Sequence, residues 1–319
     1  MLSLLSLAVA IADNITNPFV SGTDGYHTFR IPSLLRLSSG DLLLFAEGRK
    51  LSSADHDWND IVTKRSTDQG MTWGPLELVH SESNSSTHIT IGNPAPVELT
   101  SGGAAAGTLL LVFTRFNLEV GRVYSYDFGQ TWGAVTYFTD QLSLRPGTSH
   151  IATGPPTSIQ LPSGRIVVPA AYCMAGRPWM TCGGATELGS FTLLSDDLGV
   201  TWFNSTKVDR GNECQAAQCA NGSLLLSMRS VIPQDRAGRD PIGEDPIGED
   251  PIDGPNGGDL RLWSWSDDEG STWSKPTAAN FNGGLAYGGG ACQGSVVSLV
   301  CGLQSTPSLA EQPQPAPAP

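Results

Sequence analysis

Apolar residues along this chain come in short runs, each bounded by turn-forming residues. Four runs open on a glycine: Gly40-Asp41-Leu42-Leu43-Leu44-Phe45, Gly107-Thr108-Leu109-Leu110-Leu111-Val112-Phe113, Gly164-Arg165-Ile166-Val167-Val168-Pro169 and Gly222-Ser223-Leu224-Leu225-Leu226-Ser227. Apolar runs of this length between turn signals predict buried strands. No long stripe of helical period interrupts them, and beyond the N-terminus no stretch approaches the ~20 apolar residues that span a bilayer.

A second pattern keeps step with the first. Residues Ser66 to Trp73 read Ser-x-Asp-x-Gly-x-Thr-Trp, and the spelling returns at Ser125 to Trp132, Ser195 to Trp202 and Ser266 to Trp273. A short Ser and an Asp bond back to nearby N–H groups, Gly accepts φ > 0, and Trp anchors the packing below. Each box therefore predicts a tight turn between two strands. One apolar run and one box per interval mark one structural repeat, and a repeat of several strands is a blade of a β-propeller. The expected fold is all-β, with one propeller domain over residues 13–303. A turn on the outside of a blade touches no substrate, so the boxes speak to architecture alone.

Composition adds an address. The chain of 319 residues carries a net charge of −13, which argues against nucleic acid and anionic membrane as partners. Residues 1–12 are apolar or small and end in Ala8-Val9-Ala10-Ile11-Ala12, as in a secretory signal peptide. Sequons at Asn14, Asn84, Asn204 and Asn221 agree with the secretory pathway, secreted or lysosomal. The six cysteines fall as Cys173/Cys182, Cys214/Cys219 and Cys292/Cys301, a spacing that suits local disulfides. Residues 235–258 repeat Asp-Pro-Ile-Gly-Glu and are expected to form a solvated acidic insert; residues 304–319 are a Pro/Ala-rich tail. The five histidines are scattered without metal-site spacing, so no metal or other cofactor is expected.

Three arginines sit where apolar strands begin or end: Arg30 between Phe29 and Ile31, Arg49 after Leu42 to Gly48, and Arg229 after Leu224 to Met228. At the ends of inner strands they would converge on the propeller axis as rigid forks for a carboxylate or phosphate. Pairing with a carboxylate between blades is the structural alternative for each. Asp55, in the polar loop Ser52 to Asp57, and Glu213, in Asn212-Glu213-Cys214-Gln215, are the accompanying carboxylates.

These features together resemble the exo-α-sialidase family. Phe29-Arg30-Ile31-Pro32 is similar to its FRIP motif and the four boxes to its Asp boxes; Ala46-Glu47-Gly48-Arg49, Asp55, Gly92-Asn93-Pro94-Ala95-Pro96 and Glu213-Cys214-Gln215 match in order. The resemblance implies a six-bladed propeller that removes terminal sialic acid from sialylated glycoconjugates with retention. Arg30 and Arg229 would clamp the sugar carboxylate, and Arg49 would support the pocket near the acid. Asp55 would be the general acid/base, and Glu213 the base that activates a tyrosine nucleophile.

The third clamp arginine and a Gly-Tyr-Ser motif with the nucleophile have no match after Cys292 to Val296, as though the last blades were missing or incomplete. Arg261 and Tyr287 flank the fourth box and are the candidate substitutes, although Arg261 lies closer to its box than the family pattern has it and Tyr287 stands in Ala-Tyr-Gly. The alternatives are a truncated chain, a catalytically silent sialic-acid-binding propeller, or a purely structural propeller with Asp boxes.

Overall fold

The computed structural model describes residues 16–174, 187–230 and 261–278. They form four antiparallel sheets in chain order. The first contains β1 (Thr28–Arg36), β2 (Leu42–Arg49), β3 (Asn59–Ser66) and β4 (Glu77–His80), hydrogen-bonded in that order. The second repeats it with β5 (Ile91–Glu98), β6 (Leu109–Arg115), β7 (Glu119–Ser125) and β8 (Thr136–Tyr137). In the third, the first and last positions are each split. There β9 (Thr148–Thr153) and β10 (Ile159–Gln160) both pair with β11 (Ile166–Met174), and β12 (Glu187–Ser195) pairs with β13 (Phe203–Asn204) and β14 (Val208–Asp209). The fourth contains β15 (Gly211–Gln218), β16 (Leu224–Ser230), β17 (Arg261–Ser266) and β18 (Thr277–Ala278). Four consecutive up-and-down sheets stacked face to face are blades of a β-propeller. The expected count of six rests on the resemblance alone.

The four apolar runs are the second strands, β2, β6, β11 and β16. Their continuous hydrophobicity follows from being covered on both faces. Along β6, Leu109, Leu111 and Phe113 join Leu43, Phe45 and Ile61 of the first blade, while Leu110 and Val112 join Ile166, Val168 and Phe191 of the third. Val167 and Leu194 then face Leu224, Leu226 and Met228 of the fourth. The second and third blades thus each serve two cores, one per face.

Each box begins on the last residue of a third strand and carries the chain to the fourth. In the first, Ser66 Oγ accepts the Gly70 N–H at 2.8 Å and donates to Asp68 Oδ1 at 2.8 Å. Asp68 in turn accepts the Thr72 N–H at 2.9 Å and the Thr72 hydroxyl at 2.5 Å. The same bonds recur around Asp127, Asp197 and Asp268. Gln69 and Gly70 are both left-handed, at φ 61° and 88°, as are their counterparts in the other boxes. An arginine of the preceding blade latches each later box: Arg65 donates to Phe128 O, Arg122 to Gly199 O and Val200 O, and Arg165 to Ser271 Oγ. The first box is met by Thr16, whose hydroxyl donates to Gly70 O at 2.9 Å.

One disulfide expectation is corrected. Cys214 and Cys219 are free thiols. Cys214 points into the core from β15 and Cys219 lies just past the end of that strand. Five residue steps along an almost wholly extended segment set the two about 16 Å apart, far beyond disulfide reach. Cys173 is disulfide-bonded; Cys182, Cys292 and Cys301 lie outside the described residues. So do the expected signal peptide, the acidic insert and the C-terminal tail.

Candidate active site

In every blade the first strand starts where the second ends. Thr28 lies opposite Arg49, Ile91 opposite Arg115, Thr148 opposite Met174 and Gly211 opposite Ser230. This rim of the propeller carries Arg30, Arg49, Glu213 and Arg229, the β2–β3 loop with Asp55, and Arg261, which starts β17 opposite Arg229. Three first strands bulge there, setting two residues against one between Arg30 and Ser33, Gly92 and Ala95, and Gly211 and Cys214. A bulge bends its strand and re-aims the side chains at that point.

The rim of the first blade is densely bonded. Arg49, 2% exposed, donates to Glu47 Oε2 from Nε at 3.0 Å and from Nη2 at 2.7 Å. Its Nη1 donates to Ser53 O at 2.6 Å and to Asp55 Oδ1 at 2.8 Å. The other Glu47 oxygen accepts the Asn93 N–H at 2.9 Å. That approach demands a glycine beside it, because a Cβ on Gly92 would fall 2.3 Å from Glu47 Oε1. The Asn93 side-chain amide donates to Thr114 and Asn117, and the Thr153 hydroxyl donates to Asn93 O at 2.7 Å. A buried polar chain therefore runs from Asp55 through Arg49, Glu47 and Asn93 across three blades. Burial raises the Glu47 pKa, opposed by the Arg49 charge and the Asn93 N–H. Asp55 stays 57% exposed, with one oxygen on Arg49.

Two histidines lie near Asp55: His56, its neighbour in the chain, and His150, which sequence spacing does not reveal. Burial lowers the pKa of His56, and it pushes His150, at the start of the third blade, down to about 4; the His56 charge adds to that and Asp55 opposes it. His150 Nδ1 is buried with no hydrogen-bond partner among the described residues.

The rim of the fourth blade is differently made. Glu213 Oε2 accepts from Arg229 Nη1 at 3.0 Å, yet Arg229 Nε is buried with no partner among the described residues. Beside it, Arg261 Nε donates to Ser227 Oγ at 2.9 Å while both its terminal nitrogens lack partners among the described residues. Burial lowers the Arg261 pKa, opposed by Cys214 and Glu213. Buried guanidinium N–H groups without acceptors are costly, and a bound anion supplies what they lack. Neighbouring Cys214 is pushed up to about 12 by burial, so its thiol stays protonated and unreactive.

The predicted residues thus form two clusters: Asp55 with Arg49, and Glu213 with Arg229 and Arg261. Arg30 is exposed on β1, opposite Glu47, and makes no hydrogen bond or ion pair among the described residues. Tyr287 lies outside the described residues. Among those described, no three His, Cys, Asp or Glu side chains gather as a metal site.

The BNR repeat-like domain family matches residues 40–239 of this chain. Sialidase-3 of Rattus norvegicus is 32% identical over 292 residues, covering 85% of this chain and 62% of the rat protein. The chain belongs to the sialidase family. A second member, Sialidase-4 of Homo sapiens, is 32% identical over 219 residues, which are 61% of this chain and 44% of the human protein. The chain therefore spans under two thirds of the length of these sialidases. Among solved structures, the Hadza microbial sialidase Hz136 superposes with a TM-score of 0.62 at 22% identity, over 80% of this chain and 47% of that one. The leech intramolecular trans-sialidase gives 0.59 at 16% identity, over 83% and 53%. At such identities the likeness carries the propeller fold.

Proposed function

We propose that this sialidase-family propeller, of six blades over residues 13–303, acts as an exo-α-sialidase, hydrolysing terminal sialic acid from glycoconjugates with retention. The observation that carries the reading is the pairing on one rim of a half-exposed carboxylate, Asp55, held by buried Arg49, with a carboxylate–arginine cluster that has donors to spare. Arg30 and Arg229 take the sugar carboxylate, and Arg261 adds a third guanidinium. Asp55 protonates the departing glycosidic oxygen and later takes a proton from the water that releases the sugar. Glu213 draws the proton from a tyrosine hydroxyl, for which Tyr287 is the candidate, and the phenolic oxygen bonds to the anomeric carbon. That carbon already bears a carboxylate, so a neutral phenol meets less repulsion than a second anion would; two successive displacements retain configuration. The sequons and the disulfide of Cys173 support a secretory route.

The test is hydrolysis of a fluorogenic α-sialoside by the wild type, Asp55→Ala and Arg30→Ala. Asp55→Ala should lower kcat by about 10²–10⁴-fold. Arg30→Ala should raise KM by about 10- to 100-fold, the loss of one charge-assisted hydrogen-bonded contact. Equal turnover in wild type and Asp55→Ala would overturn the assignment. A folded wild type that binds the sialoside without turning it over would make the chain a sialic-acid-binding propeller.

A further inference from the structure

The tryptophans of three boxes pack against apolar cores: Trp132, Trp202 and Trp273. Trp58 does not. It belongs to none of the four cores, sits half-buried on the rim three residues after Asp55, and yet its indole is fixed in place, because Nε1 donates to Asp60 Oδ1 at 3.2 Å. Its backbone N–H donates to Asp57 Oδ1 at 2.8 Å, and the same oxygen meets His88 Nδ1 at 2.8 Å. His88 is 40% exposed and lies against the indole, ring centroids 5.7 Å apart at 39°. Lys50 Nζ lies over the indole ring, 5.7 Å from its centroid.

The two loops that carry these rings are zipped together. Asn59 N–H donates to Ile89 O at 3.3 Å, Asp57 N–H to Thr90 Oγ1 at 3.1 Å, and the Thr90 hydroxyl to Asp57 O at 3.0 Å. Asn59 Nδ2 also donates to Asp55 O at 3.1 Å, so the same turn fixes Asp55. A rigid aromatic pair outside any core, with a carboxylate beside it and a distant ammonium over the indole, is built to meet an amphipathic ring at little ordering cost.

We infer that Trp58, His88 and Asp57 form the site for the sugar to which the sialic acid is linked. The rings pack on the C–H face of that pyranose, and the free Asp57 oxygen accepts from its hydroxyls. The inference rests on Asp55 as the group that protonates the leaving oxygen: the sugar on that oxygen must lie next to Asp55, and residues 57 and 58 are what the loop puts there.

The experiment compares two substrates, 3'-sialyllactose and methyl α-sialoside, which lacks the second sugar. The ratio of their kcat/KM values is measured in wild type, Trp58→Phe, Trp58→Ala and His88→Ala, with saturation-transfer NMR of both ligands on wild type. The ratio should fall about three- to ten-fold in Trp58→Ala and in exposed His88→Ala, less in Trp58→Phe, and the lactose protons should receive saturation. An unchanged ratio in His88→Ala and both Trp58 variants would overturn the subsite while leaving the sialidase reading intact. A wild type that neither cleaves nor binds either sialoside would overturn that reading and the subsite with it.

Discussion

The two ends of each blade solve opposite problems. At the outer turns, four boxes repeat one set of hydrogen bonds, and each serine, aspartate and threonine finds its partner within eight residues. The rims of the first and fourth blades differ: the first is satisfied by Glu47, Arg49 and Asn93, while the fourth leaves Arg229 Nε and both terminal nitrogens of Arg261 without acceptors among the described residues. The boxes spend their polar groups on holding the fold. The rim of the fourth blade leaves donors unused among the described residues.

The sharpest way to break this contrast is Glu47→Ala. It strands the buried Arg49 charge and should cost about 3–5 kcal/mol in denaturant unfolding, because one partner of a buried pair is gone. A loss below about 1 kcal/mol would mean that the first rim is not the bonded unit described.

Ser195→Ala comes next. The hydroxyl is fully buried and both donates to Asp197 and accepts from Gly199, so its removal should cost about 1–3 kcal/mol by the same measurement.

Arg261→Met should cost less than either, within about 1 kcal/mol or with a gain, since it removes a buried charge whose terminal donors are unused among the described residues. Should it destabilise more than Ser195→Ala, those donors are part of the fold and the contrast fails. The same variant should bind a free sialic-acid carboxylate less tightly, read by calorimetry.

The smallest effect is one of pH. Asp127 is held down to about 2, first by the Thr131 hydroxyl and then by the Thr131 N–H. A folded-state value below the ordinary 3.8 contributes stability that is complete above about pH 4 and fades as pH falls toward about 2. Thermal unfolding of wild type and Asp127→Asn should differ at pH 6 and converge near pH 2. Curves that stay parallel throughout would remove the box carboxylate from the account.

What was legible in the sequence divides along the same line. The second strands and the boxes could be read directly, because each is a local device: a run long enough to cross a blade, and a turn that contains all its own partners. From those two patterns the propeller followed. The positions of Arg30, Arg49, Asp55, Glu213 and Arg229 on one rim were also within reach, since strand ends fix the rim once the strands are known.

Only the tertiary structure decided what those residues do to one another. Glu47 meets Asn93 across a blade boundary, His150 comes near Asp55 from another blade, and Trp58 meets His88 through two zipped loops. None of these pairs leaves a mark in spacing. The inverse error has the same cause: Cys214 and Cys219 are close in sequence, and an extended strand carries them apart. The sequence by itself determined the repeating unit because its bonds are local. The site was decided by how the units stack, since its bonds join residues that only the stacked blades bring together.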